Sequence, residues 1–307
     1  MKKRNGLLKQ KLILAMLFIS PVVFAQDNSN AAGAKSDEQT SAREPRKEVK
    51  GTFESATLIN NQTIETVHKK TLEFMIQHRF GVIDNSADMF GIFGPSNIRI
   101  GLDYGITKRL SVGLGATKSR QLYNLEWKYA LLKQTQHGGM PISVTYFGTV
   151  GRSASSKNFF QIKDDAKPDT TKYEASDRFS YFHEIMIARK INEHVSLQLG
   201  GSYSHVNLVD SGMKHDIIGV HFAGRYKFSP QSSVLVEFDY PMVTHDVNKN
   251  MPNLGIGYEV STSGHAFQVF ICTADGINNQ QMMVYNTNDF SKKQVLLGFN
   301  ITRLWGF

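Results

Sequence analysis

Apolar and polar residues alternate with a period of two along most of the chain after residue 70. In the segment TLEFMIQHRF at residues 71–80, Phe74 and Ile76 lie in one phase and Glu73 lies in the other. The same alternation continues to the last segment, VLLGFNITRLWGF at residues 295–307. Successive side chains of a β-strand point to opposite faces, so this period is typical of strands rather than helices. The pattern predicts about 12 strands, each with one apolar face and one polar or glycine-rich face.

The predicted connections differ in length between the two ends of the strands. Short joins fall at residues 107–109, 133–141, 192–194, 229–232 and 261–264. Longer joins alternate with them at residues 81–96, 151–177, 206–215, 241–252 and 275–293, with a tight turn at 118–121 as the exception. Short turns at one rim and long loops at the other are typical of membrane barrels, whereas the strands of a soluble sandwich are usually shorter. The sequence therefore predicts an all-β, antiparallel up-and-down transmembrane β-barrel with short periplasmic turns and long extracellular loops. An even strand count puts both ends of the barrel chain at the short-turn rim.

The chain before the first strand divides by composition. Residues 1–25 have a basic start, an apolar run and small residues before a cleavage point, which predicts a secretory signal peptide. Residues 26–50 are polar, small and charged, which predicts a disordered linker. Residues 51–70 carry scattered apolar positions and predict either a periplasmic lead-in or a plug, ahead of the barrel at residues 71–307.

Charge and cysteine content exclude several functions. The formal net charge is +8, of which residues 1–25 contribute +5, so the rest of the chain carries only +3. A charge this small gives no support for a nucleic-acid partner. Cys272 is the single cysteine, so no intrachain disulfide or cysteine metal cluster is expected. Two isolated His–Asp pairs, at 215–216 and 245–246, do not predict a metal site, and we expect no cofactor and no catalytic residues.

Charged residues of both signs fall in the phase that a membrane barrel turns inward. The predicted lumen-lining residues are Glu73, Arg79, Arg99, Asp103, Glu126, Lys128, Glu184, Arg225, Lys227, Glu237, Asp239 and Glu259. Such charges must be paired or hydrated, which fits either a narrow water-filled path or a closed, salt-bridged interior. Small inward residues such as Gly219 and Gly255 predict room for water. Seven acids against five bases argue against a strong ion preference.

The final strand has an unusual end, because chain ends are generally polar and frayed. Phe299, Ile301, Trp305 and Phe307 share its apolar phase. A terminal Phe in phase with a last strand resembles the signal that the barrel-assembly machinery of the bacterial outer membrane recognises. We therefore expect that machinery and outer-membrane lipid as partners, and a bacterial outer-membrane location.

Several longer stretches resemble an uncharacterised family of outer-membrane β-barrels of Bacteroidota-type bacteria, defined as a domain of unknown function. The matching stretches are TFESATLINNQTIETVHKKTLEFMIQHRFG, FGPSNIRIGLDYGITKRLSVGLG, WKYALLKQ and GGMPISV. The resemblance runs from about Thr52 to Phe307. These are motifs of strand and turn, so the resemblance implies a barrel and an outer-membrane location but no activity and no catalytic residues.

Three functions follow from these patterns. The first is a narrow or gated passage for small polar solutes. The alternative is a closed barrel that acts as an anchor or binds an extracellular ligand through its loops, above all residues 151–177 with Phe159 and Phe160. A barrel-embedded hydrolase is the least favoured, because no nucleophile signature accompanies His78 and His183 in the lipid-facing phase. The chain is therefore not predicted to be an enzyme.

Overall fold

The computed structural model describes residues 47–83, 89–136, 139–156 and 174–307. Two short strands, β1 (Thr57–Leu58) and β2 (Asn61–Gln62), form a hairpin ahead of twelve long strands. The long strands are β3 (Thr71–Val82), β4 (Asn97–Gly105), β5 (Leu110–Thr117), β6 (Leu122–Leu132), β7 (Ser143–Ser153), β8 (Phe179–Lys190), β9 (Val195–Val206), β10 (Asp216–Lys227), β11 (Ser232–Pro241), β12 (Asn253–Ser261), β13 (His265–Cys272) and β14 (Leu296–Gly306). The connection between β13 and β14 holds an α-helix, α1 (Asn279–Tyr285), and a 3-10 turn at Phe290–Lys292.

The twelve long strands pair in chain order, and the pairing of β14 with β3 closes them into one antiparallel barrel. At this seam Phe299 lies opposite His78, and their rings stack with centroids 5.2 Å apart. At the end of β14, the Phe307 amide donates to the Lys70 carbonyl at 2.8 Å, so both ends of the barrel chain meet at one rim. The predicted fold class and strand count are confirmed.

The two rims of the barrel differ in loop length, as predicted. The rim that holds the chain ends has turns at residues 106–109, 133–142, 191–194, 228–231 and 262–264. The opposite rim has connections at residues 83–96, 118–121, 154–178, 207–215, 242–252 and 273–295. The expected signal peptide lies outside the described residues, as do most of the expected linker and the stretch 157–173, which contains Phe159 and Phe160.

The outer face of the barrel is a band of exposed apolar and aromatic side chains. Leu199, for example, is 63% exposed. On β14, Phe299 and Ile301 are half-buried on this face. Trp305 and Phe307 are exposed at its rim, and their part in assembly stays a prediction. An apolar band of this kind suits a lipid surface. Among the described residues, no helix has the length and apolar character needed to cross a membrane.

The interior of the barrel is filled, and much of the filling comes from the chain that precedes β3. Residues 51–67, which we call the inner segment, lie against the inward side chains, and Leu58 and Ile59 are 2% and 0% exposed. These two join an apolar cluster with Phe182 and Phe270 of the barrel wall. The sequence pattern did not predict large apolar residues in the inward phase. They occur there because they pack against the inner segment.

Candidate functional site

One buried carboxylate of the barrel wall anchors the hairpin of the inner segment. Glu237, on β11, is 0% exposed. Its Oε2 accepts the backbone N–H groups of Asn60 and Asn61 at 2.9 and 3.2 Å. Its Oε1 accepts the side-chain amides of Asn60 and Asn253 at 2.6 and 2.7 Å. Three of these four hydrogen bonds come from Asn60 and Asn61, so Glu237 is the main polar anchor of the hairpin.

Ile59 lies in the turn of this hairpin with a φ of +52°, which is the left-handed region. That conformation is unfavourable for a β-branched residue and persists only where the surroundings enforce it. Here the barrel wall bonds both backbone groups of the residue. The Ile59 N–H donates to Gln268 Oε1 at 3.1 Å. Its carbonyl accepts from Arg79 Nη2 at 3.1 Å and from Asn300 Nδ2 at 2.8 Å. The wall therefore holds a strained turn.

The rest of the inner segment is also bonded by wall side chains rather than by a neighbouring strand. Gln198 donates to the Gln62 carbonyl at 2.7 Å and accepts the Ile64 N–H at 2.9 Å. Lys128 Nζ donates to the Ala56 carbonyl at 2.9 Å. Buried backbone groups need such partners, and here they are long side chains that could otherwise face water.

An ion-pair cluster fixes the start of the inner segment. Glu54 forms an ion pair with Arg225 at 3.0 Å and accepts a hydrogen bond from Lys227 at 2.8 Å. Burial pushes the pKa of Glu54 upward, but the hydrogen bond from Lys227 and the charges of both bases outweigh it, so the pKa is lowered. Burial raises the pKa of Glu65 at the other end of the segment. Of these two carboxylates, Glu54 is the one whose ionised form is stabilised by bases of the wall.

The structure places the predicted lumen residues on the inward face. Ten are buried, namely Glu73, Arg79, Arg99, Glu126, Lys128, Glu184, Arg225, Glu237, Asp239 and Glu259. Asp103 and Lys227 are half-buried. Those that bond the inner segment are Arg79, Lys128, Arg225, Lys227, Glu237 and Glu259. Arg99 instead pairs with Glu126 across the wall at 2.8 Å. Their part in solute passage stays a prediction.

Inward glycines accommodate neighbouring side chains instead of water. A Cβ added at Gly255 would lie 2.8 Å from Glu237 Cγ. One added at Gly219 would lie 2.5 Å from the sulfur of Met283, on α1. The expectation that these small residues leave room for water is wrong. The side chain of Glu237 occupies the space beside Gly255, and Met283 of α1 occupies the space beside Gly219.

Helix α1 fills the barrel from the long-loop rim. Asn278 caps its start by accepting the Gln281 N–H at 2.8 Å. Gln280 donates to the Tyr181 carbonyl of the wall at 2.9 Å. Met282, Met283 and Val284 belong to an apolar cluster with Val206 and Ile217 of the wall. The helix is thus packed into the mouth of the barrel.

A buried histidine holds the end of α1. His245 Nε2 donates to the Val284 carbonyl at 2.7 Å, while its Nδ1 accepts the Lys214 N–H at 2.9 Å. These two partners require a neutral ring. Burial, with a contribution from the charge of Lys214, lowers the pKa of His245. The buried surroundings of His245 therefore favour the neutral form that its two hydrogen bonds need.

The inner segment and helix α1 meet inside the barrel through a hydrogen bond. Asn279 Nδ2, on α1, donates to Asn61 Oδ1, in the inner segment, at 3.0 Å. Near this junction, a cavity of about 10 Å³ is lined by residues that include Gln62, Phe182 and Asn279. A second cavity, also about 10 Å³, lies by Glu73. Each has room for about one water molecule, so neither provides a route for a larger solute.

The sequence pattern did not single out the asparagines at this junction. The pair Asn60–Asn61 follows an apolar stretch, and adjacent asparagines are a turn signal that could have marked the hairpin. Nothing in the sequence around Asn279 indicates that it turns into the barrel, because its position depends on tertiary contacts.

The comparisons with known proteins agree with the architecture. The profile of a family described as "Membrane bound beta barrel domain (DUF5777)" matches residues 53–305. The chain belongs to this family. Its inner segment and all twelve barrel strands lie almost entirely within the matched residues. No curated protein matches the chain.

Solved structures with a similar fold include outer-membrane porins and channels. The KdgM porin is 7% identical over 77% of this chain and 99% of its own, with a TM-score of 0.43. The NanC porin is 8% identical over 77% and 99%, with a TM-score of 0.44. An outer membrane channel from Pseudomonas putida F1 is 11% identical over 78% and 97%, with a TM-score of 0.44. At these values the likeness carries nothing about substrate or mechanism.

Proposed function

We propose that this protein is a gated passage for small polar solutes in the bacterial outer membrane, with both of its gates closed. The inner segment is the gate at the chain-end rim, which faces the periplasm. Helix α1 and its loop form the gate at the long-loop rim. A gate here means a part of the chain that must move before a solute can cross.

The observation that carries this proposal is the polar attachment of the inner segment. Downstream it is joined to the barrel only through residues 68–70, and wall side chains such as Gln198 and Glu237 bond its backbone. Water can replace these hydrogen bonds one for one when the segment leaves. Its departure would also relieve the strained turn at Ile59. Water can therefore take the place of the inner segment more easily than it could take the place of a purely apolar plug.

The lining that an open barrel would present fits small polar solutes. Without the inner segment, Arg79, Lys128 and Glu237 would face the lumen beside the wall pair of Arg99 and Glu126. Charges of both signs in one lining give weak ion selectivity, because a selective ring needs one sign to dominate.

One observation favours the alternative of a closed anchor. Phe53, Leu58, Ile59 and Ile64 of the inner segment are buried in an apolar cluster with wall residues. Exposing fully buried apolar side chains of this size costs about 1.5–3 kcal/mol each. In this alternative the interior never opens, and function lies in the extracellular loops.

Uptake by liposomes distinguishes the two proposals. We would compare the wild type with Glu237→Gln, which places an amide donor opposite the amides of Asn60 and Asn253. The Asn60 amide cannot turn over without cost, because its Oδ1 accepts from Arg79 at 2.7 Å. Glu126→Gln is the matched control, since it removes the same lumen charge from a residue that bonds Arg99 instead of the inner segment.

We expect Glu237→Gln to raise the uptake of a small neutral sugar at least about tenfold, because a buried donor left without an acceptor costs about 1–3 kcal/mol. Glu126→Gln weakens a pair within the wall and leaves the inner segment bonded, so its sugar uptake should stay close to that of the wild type. Heat-dependent migration on gels would verify that each variant is folded. If folded Glu237→Gln and wild-type barrels both exclude the sugar, the closed anchor is correct.

A further inference from the structure

Three neighbouring strands bring a serine, a histidine and an aspartate into one line inside the barrel. His221 Nε2 lies 2.7 Å from Ser202 Oγ, and His221 Nδ1 lies 2.8 Å from Asp239 Oδ1. The three side chains belong to β9, β10 and β11. All three residues are buried, at 6%, 3% and 0% exposure respectively for Ser202, His221 and Asp239.

The register of the sheet produces this line. His221 pairs directly with Asp239 on one side and with Gly200 on the other. Ser202 lies two residues beyond Gly200, on the same inward face of β9. Because Gly200 has no side chain, the imidazole can reach along β9 to the serine hydroxyl. The constellation is therefore spread over three strands and leaves no local sequence motif.

Both oxygens of Asp239 lie next to N–H groups, as the oxygens of a carboxylate do. Asp239 Oδ2 accepts from the Asn253 amide at 2.8 Å, and its Oδ1 faces His221 Nδ1. A carboxylate there requires the proton of the neutral ring to be on Nδ1. His221 Nε2 is then an acceptor, and Ser202 Oγ–H donates to it. This is the arrangement by which a base activates a serine hydroxyl for nucleophilic attack.

We propose that Ser202, with His221 as base and Asp239 as the residue that orients it, is a nucleophile for small acyl esters that reach the barrel interior. Ser202 Oγ would bond to the acyl carbon while His221 takes the hydroxyl proton. The ester C–O bond then breaks, and His221 returns the proton to the departing alcohol. Water, deprotonated by His221, releases the acid and restores Ser202.

Buried polar atoms on β8, on β9 and in the inner segment are available to bond such a substrate. Glu184 lies directly opposite Ser202 on β8. Within the described residues, Glu184 Oε1 and Ser204 Oγ have no hydrogen-bond partner, and neither does Asn61 Nδ2. These residues are at most 1% exposed. Buried polar groups are normally satisfied, so these donors and acceptors point to a polar molecule at this place.

Helix α1 controls access to the serine. The sulfur of Met283 lies over Gly219, the residue that pairs with Ser202 across β9 and β10. A substrate from the long-loop rim therefore reaches Ser202 only after α1 moves. This step uses the outer gate of the proposed passage but does not require the inner segment to leave.

A fluorophosphonate probe, which bonds covalently to activated serines, tests the proposal on the full-length protein in detergent. We expect the probe to label Ser202 slowly in the wild type and at least about tenfold faster in Met283→Ala, which thins the cover over the serine. Ser202→Ala should abolish the labelling. Ser196→Ala is the matched control, because Ser196 is also buried on the inward face of β9 and should leave labelling unchanged.

The variant Asp239→Asn tests whether His221 activates the Ser202 hydroxyl or whether the hydroxyl reacts only because the probe can reach it. It should lower the labelling rate at least about tenfold while the folded barrel still migrates normally on an unheated gel. The proposal is overturned if neither the wild type nor Met283→Ala reacts, or if the probe labels Ser202→Ala equally. Labelling does not depend on conduction, so a barrel that labels but excludes sugar would contradict only the proposed passage.

Discussion

At the scale of single residues, the alternating pattern predicts which side chains face inward but not which partners they meet. Arg99 pairs with Glu126, 27 residues away on a strand that is not its neighbour. Arg225 pairs with Glu54, in a segment that has no alternation. Whether a strand side chain faces inward or outward follows from the sequence alone. Pairing depends on sheet register and on what fills the barrel, and neither can be read from a period of two.

Replacement of Arg99 by Gln tests the wall pairing. Glu126 would keep its charge in a buried position and lose its closest cation, which costs about 3–5 kcal/mol for a buried pair. We expect the free energy of unfolding in urea to fall by this amount. The double variant Arg99→Gln/Glu126→Gln should recover most of the loss. An unchanged urea midpoint for the single variant would show that the pair does not stabilise the wall.

Arg225→Gln should behave differently, because the partner of Arg225 is the inner segment. Glu54 would keep only Lys227, so the segment should be held less firmly while the wall stays intact. We expect greater protease cleavage within residues 51–67 and a smaller change in barrel unfolding than for Arg99→Gln. Equal protection of the segment in both variants would contradict the assignment of Arg225 to the gate.

At the scale of elements, the long strands could be predicted from the sequence. The hairpin of the inner segment and helix α1, which fill the barrel, could not. Strands of 8 to 12 residues give a strong periodic signal. The hairpin strands have two residues each, and α1 has seven, which is too short for a helix to be stable alone. Tertiary contacts determine these short elements. The sequence could indicate a lead-in or plug only from scattered apolar positions.

The contact between His245 and α1 predicts that the packing of α1 in the barrel depends on pH. The pKa of His245 is lowered from 6.5, so the neutral ring stabilises the packed position of α1 fully above pH 6.5. This stabilisation is lost as the pH falls through the lowered value of the folded state. The charged groups around the ring are Lys214, which opposes protonation, and Asp246, which favours it.

Hydrogen exchange measures this effect directly. The peptide that contains α1 should exchange faster in acid than at neutral pH, after correction for intrinsic rates. His245→Gln should remove the pH dependence, while a barrel strand such as β6 should stay protected throughout. Equal protection of α1 above and below the folded pKa would contradict the role of His245.

At the scale of the whole molecule, the barrel is a polar container closed from both ends. The inner segment enters from the chain-end rim and α1 from the other, and they meet through Asn61 and Asn279. Opening would require both to move. The sequence pattern predicted the container, its rims and its charged lining, whereas its closure could be seen only once the chain was folded.

Single-channel recording in planar bilayers tests the central claim most directly. We would compare the full-length protein with a variant whose residues 57–62 are replaced by a glycine–serine linker of equal length. This change removes the anchors to Glu237 and Arg79 but keeps the chain intact. The gated passage predicts rare openings of the wild type and frequent, weakly selective conductance steps of the variant. A folded variant that stays as silent as the wild type, even where acid loosens α1, would contradict it.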